Sequence, residues 1–146
     1  MFSSTIRCFF LKRLLFDIGF KLLAIRVLKD CDSSYRKVLK ENTLYPFYKD
    51  YNFIYENNEV VNIVDESTIP ENFYKAKGND QLKINISAVV GKNGSGKSSL
   101  MDMFYFFCYA LSVNHNIIEI ANVDEINFSG FNCEFFYKTN EGYFNY

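Results

Sequence analysis

The run Gly91-Lys92-Asn93-Gly94-Ser95-Gly96-Lys97-Ser98 constrains this chain more than any other segment. It fits the pattern G-x-x-x-x-G-K-[ST] at every fixed position. Its glycines admit backbone conformations closed to residues that carry a Cβ. A chain that curls in this way turns successive N–H groups inward, toward an anion. A helix starting directly afterwards adds the positive end of its dipole at the same point. In that arrangement a lysine at position 97 reaches the β- and γ-phosphates of a nucleotide. The hydroxyl of Ser98 then ligates Mg²⁺.

Such a loop requires a strand before it and a helix after it. Upstream, Leu82, Ile84 and Ile86 alternate with polar residues, and Ala88-Val89-Val90 follows as an unbroken apolar run. The pattern predicts a strand over 82–90, buried at its end in the manner of a parallel sheet. Downstream, 98–112 contains neither Gly nor Pro. Leu100, Met101, Met103, Phe104, Phe107, Cys108 and Leu111 form a broad helical stripe. Cys108 on that stripe reads as a small buried hydrophobe.

The string GKNGSGKSSL after an apolar strand end resembles the Walker A motif of ABC-type ATPase heads. That group includes RecF, SMC and related AAA-family ATPases, all P-loop NTPases. The strong resemblance covers 82–112, and a weaker one extends over the chain from Lys21, because such heads begin with a β-rich lobe. It implies an α/β fold: a P-loop NTPase-type sheet fragment with an antiparallel β annex. It implies ATP and Mg²⁺ as ligands. The nucleotide-binding residues would be Gly91, Lys92, Asn93, Gly94, Ser95, Gly96, Lys97, Ser98 and Ser99, with Ser98 on the metal. It further implies ATP hydrolysis in a head-to-head dimer, while the four cysteines, read as free thiols, fit a reducing cytosol.

Hydrolysis in such heads also needs an acidic strand end, a glutamine loop and a serine-glycine signature from the partner head. No Leu-Ser-Gly-Gly-like signature occurs in the sequence. The stretch Ile117–Glu125 ends in Asp124-Glu125 but is interrupted by Glu119 and Asn122, so it reads better as a turn or strand edge. The expectation is therefore the N-terminal part of a larger ATPase, completed by a second head or a missing C-terminal half. A degenerate, non-catalytic interaction module is the alternative. A small P-loop kinase fits less well, since no Arg follows Arg36 to build a lid. A GTPase would need an Asn-Lys-x-Asp motif, which is absent.

A 49% apolar and 18% aromatic composition favours a folded domain over disorder. A net charge of −1 carries no basic surplus for nucleic acid. DNA contact by the parent assembly thus has no signature in this segment. Cys8, Cys31, Cys108 and Cys133 lack metal-site spacing and read as free thiols.

The chain divides at residue 20. Residues 1–20 are hydrophobic but carry Arg7, Lys12, Arg13 and Asp17, which excludes a membrane span. They read as an amphipathic extension, with Phe9, Phe10, Leu14 and Phe16 near one side, or as residues preceding a natural start near Lys21. Binding of this segment to a membrane surface is a minor third reading.

From Lys21 onward the expected elements are a strand over Leu22–Leu28, a polar loop leading to a short helix within 29–42, and an extended Tyr45–Tyr48. A hairpin follows, with 52–55 and 60–64 around Asn57-Asn58. One helical turn is expected at Glu71–Lys75. A strand over 131–138 should present Phe131, Cys133, Phe135 and Tyr137 on one face, and a return strand should follow Gly142. Tyr45, Phe47 and Tyr48 read chiefly as packing residues, with stacking on adenine as their functional alternative.

Overall fold

The computed structural model describes residues 21–70, 75–76, 79–83, 86–114, 129–139 and 142–145. The amphipathic extension, the helical turn at 71–75 up to Tyr74, and the acidic stretch 117–125 lie outside them. Within them, β1 (Lys21–Val27) is the strand on which the rest is assembled. Leu23, Ala24, Ile25, Arg26 and Val27 are all buried, so both faces of this strand are covered.

Its neighbours are β2 (Thr43–Pro46) on one edge and β7 (Cys133–Thr139) on the other, with β8 (Gly142–Asn145) beyond β7. Every pair in this four-stranded sheet is antiparallel. The register sets Ala24 opposite both Pro46 and Phe136, and Ile25 opposite Tyr45 and Phe135. Between β1 and β2 stands a four-residue helix, α1 (Ser33–Arg36), capped by the Asp32 carboxylate accepting from the Ser34 N–H at 2.7 Å.

One face of the sheet is covered by α2 (Lys97–Asn114). Leu100, Met103, Phe107 and Leu111 recur at helical spacing and pack with Ile25, Val27 and Phe135. The Phe107 and Phe135 rings stack with centroids 3.9 Å apart. The opposite face is covered by a hairpin of β3 (Tyr51–Glu56) and β4 (Glu59–Asp65). There Tyr51, Phe53 and Ile63 pack with Leu23, Ala24 and Phe136. Asn57 and Asn58 have φ of 49° and 65°, both in the left-handed region. That is the geometry of a two-residue type I′ hairpin, which Asn tolerates without a large penalty.

The hairpin is also tied to the sheet by charge. Buried Arg26 pairs with Glu134 at 3.1 Å and donates to the Asn58 carbonyl at 2.6 Å. Lys138 pairs with Asp65 at 2.9 Å.

Four expectations need correction. The predicted strand over 82–90 is not one element. β5 (Lys75–Ala76) and β6 (Asn79–Lys83) form a small separate hairpin ending at Lys83. Residues 86–90 belong to no strand. Ile86 and Val90 are 62% and 86% exposed, not buried as a parallel strand would be. Both edges of β1, the most buried strand, are taken by β2 and β7, so this run does not lie beside it.

Second, Phe135, Phe136 and Tyr137 are all buried. Alternation by face gives way here because this sheet is covered on both sides. Third, Cys108 is exposed: it follows Phe107 by one helical step of about 100° and so turns away from the sheet. Fourth, the parallel pairing expected of an α/β sheet does not occur among the described residues: all of their strand pairing is antiparallel.

Candidate functional site

The segment Gly91–Ser98 leaves the exposed stretch 86–90 and enters α2 at Lys97. Two glycines shape it. Gly94 has φ +78° and Gly96 φ +94°, conformations that side-chain-bearing residues rarely adopt. At Gly96 the constraint is also steric. A Cβ there would stand 2.6 Å from Leu39 Cδ2 and 3.4 Å from Val38 Cγ2.

The loop closes around Lys97. Its ammonium donates to the carbonyls of Gly91 at 2.8 Å and Lys92 at 2.9 Å. The Ser95 N–H donates to the Lys92 carbonyl at 3.2 Å, and the helical ladder opens with Leu100 N–H to Gly96 C=O at 3.0 Å. The first N–H groups of an α-helix have no partner within it. No acidic residue stands in the first turn of α2, so nothing of the helix's own offsets the positive dipole end. Residues 91–95 and Ser98 are exposed, Lys97 is half-buried and Ser99 is buried.

These features place an ammonium and the unpaired N–H groups of a helix start in one solvent-exposed loop, a combination suited to an anion. The sequence-predicted residues 91–99 are thus contiguous in one loop and helix start. The other candidates are not brought to it as free groups. Tyr45 and Phe47 pack against the core between sheet and α2. The Tyr45 hydroxyl accepts from the Lys40 N–H at 2.8 Å. Tyr48 packs on the hairpin side, its ring 4.0 Å beneath the Lys21 ammonium. All three are half-buried.

A second wall was not legible in the sequence. The turn between α1 and β2 brings Leu39, almost wholly buried, against Gly96. It also brings Lys37 to Asp102 of α2, with Nζ and Oδ2 2.6 Å apart. Arg36 braces this turn by donating to the carbonyls of Cys31 and Leu39 and pairing with Glu41. Pairing over 65 residues leaves no local signature.

For Mg²⁺ the residues fit in part. Ser98 offers an exposed hydroxyl, and Mg²⁺ in phosphate sites takes phosphate oxygens, water and one or two carboxylates. The carboxylate one turn further along α2, Asp102, is held by Lys37. Among the described residues no group of three or more His, Cys, Asp or Glu could hold a metal ion. Nor is any helix among them long and apolar enough to cross a membrane. Cys31, Cys108 and Cys133 are free thiols.

No family model, curated protein or solved structure matches this chain.

Proposed function

We propose that this chain binds ATP with Mg²⁺ through residues 91–99, as the phosphate-binding part of an ABC/RecF/SMC-like ATPase head in the cytoplasm. The observation that carries the reading is the closure of the loop on Lys97, whose ammonium is pinned by two loop carbonyls at the start of an 18-residue helix. In this reading Gly94 and Gly96 shape the loop, and its N–H groups receive phosphate oxygens. Lys97 supplies a fixed positive charge, and Ser98 joins the metal's coordination.

Turnover is a separate matter. Phosphoryl transfer also needs a group that orients the attacking water and charges that stabilise the transition state. A second head or a further polypeptide would bring these. No residue of the loop 91–99 supplies these groups, so the chain alone is expected to bind nucleotide without efficient hydrolysis. That keeps the non-catalytic interaction module as the second reading, with nucleotide acting as a folding ligand.

The test is isothermal titration with Mg·ATP. The unaltered chain is expected to bind, and Lys97→Ala to lose most of that affinity while keeping its unliganded melting temperature. Equal affinity in the two proteins would overturn the assignment.

A further inference from the structure

We propose that Lys37 is a second phosphate-binding cation, held in reserve by Asp102, so that Asp102 and the ligand compete for one ammonium group. The inference rests on the phosphate-loop reading above and adds a residue to it.

Lys37 is remote from the loop in sequence but not in space. Its ammonium lies 2.6 Å from Asp102 Oδ2. Asp102 stands four residues after Ser98 on α2, and residues so spaced share a helix face. Helical side chains lean toward the N-terminus, so the Asp102 carboxylate leans toward the loop. The residues following Lys37 hold the turn in place: Val38 and Leu39 touch the position a Gly96 side chain would fill.

Lys37 and Asp102 are 51% and 50% exposed. An ion pair this open is weak and easily exchanged. A phosphate chain offers several charged acceptors to the same ammonium, which form stronger charge-assisted bonds. Lys37 therefore moves from one carboxylate to the phosphates when a triphosphate occupies the loop, and Asp102 is released beside Ser98.

The experiment measures Mg·ATP and inorganic triphosphate affinity by titration calorimetry in the unaltered chain and in Lys97→Ala, Lys37→Ala, Lys37→Arg and Asp102→Asn. Lys37→Ala should weaken both ligands about three- to tenfold, and Lys37→Arg should retain most of the affinity. Asp102→Asn should tighten both about two- to fivefold by freeing the ammonium.

A structural ion pair gives the opposite sign: Asp102→Asn would weaken binding together with Lys37→Ala, and both would lower the unliganded melting temperature. That outcome overturns the proposal. Indifference of affinity to both changes, with Lys97→Ala still disabling, overturns the role of Lys37 alone. Failure of the unaltered chain to bind either ligand overturns the phosphate-loop reading and this inference with it.

Discussion

The sheet with its hairpin and the stretch 86–98 are built on opposite principles. In the first, β1 is buried from Leu23 to Val27, and its contacts come from residues distant in sequence. In the second, Ile86 and Val90 are exposed and residues 91–95 lie open to solvent. The loop's shape is set locally, by two glycines and one lysine. Burial and solvent access are thereby separated. The sheet can supply rigidity without presenting any reactive group, and the loop can present backbone N–H groups because it contributes little to the core.

The sharpest way to break that contrast is to truncate each region in turn. Phe135→Ala removes a ring stacked on Phe107 and 1% exposed. It should cost about 3–5 kcal/mol. Val90→Ser, at an 86% exposed position, should stay within about 0.5 kcal/mol. Chemical denaturation of both variants checks the pair, and comparable losses would show that the two regions form one cooperative core.

An intermediate effect is expected where the regions meet. Gly96→Ala must adopt φ +94° and displace Leu39, whereas Gly94→Ala meets nothing within 4 Å. The backbone term is about 1–2 kcal/mol at either site. Gly96→Ala should therefore lower the melting temperature further than Gly94→Ala, by the cost of moving Leu39. Equal shifts in thermal melts would mean that Leu39 yields freely.

The smallest effect concerns the charge clasp on the hairpin side. Burial pushes the Asp65 carboxyl upward, but hydrogen bonds from Lys138 and the Ser67 N–H, with the Lys138 charge, hold it below its ordinary value. A lowered folded-state value gives stability present above the unfolded carboxylate value, about 3.9, and lost as pH falls through the folded value. Asp65→Asn should lower the melting temperature slightly at neutral pH, with the two profiles converging as pH falls below about 4. An unchanged acid limb would remove Asp65 from that role.

What could be read in advance follows the same division. The helix start and β1, each within one residue, and the Asn57-Asn58 hairpin were legible because each is encoded by neighbours in sequence. The apolar pattern over 82–90 carries no information about which neighbours cover it, and Ile86 and Val90 lie exposed. Burial of Phe136 and exposure of Cys108 likewise depend on what covers a face. The nine residues of the candidate loop were visible as a motif, but Lys37, Val38 and Leu39 were not. Their place beside Gly96 and Asp102 is made by the tertiary fold.

The antiparallel pairing of β1 with β7 has a consequence for synthesis on the ribosome. Arg26 and its partner Glu134 are 108 residues apart, so β1 leaves the ribosome long before its central neighbour exists. At ordinary elongation rates the wait is roughly 5 to 20 s. During it, a strand designed for burial on both faces has only β2 and the early hairpin for company. The nascent chain is thus most exposed to misassociation before β7 arrives, and slower translation across the intervening residues lengthens that window.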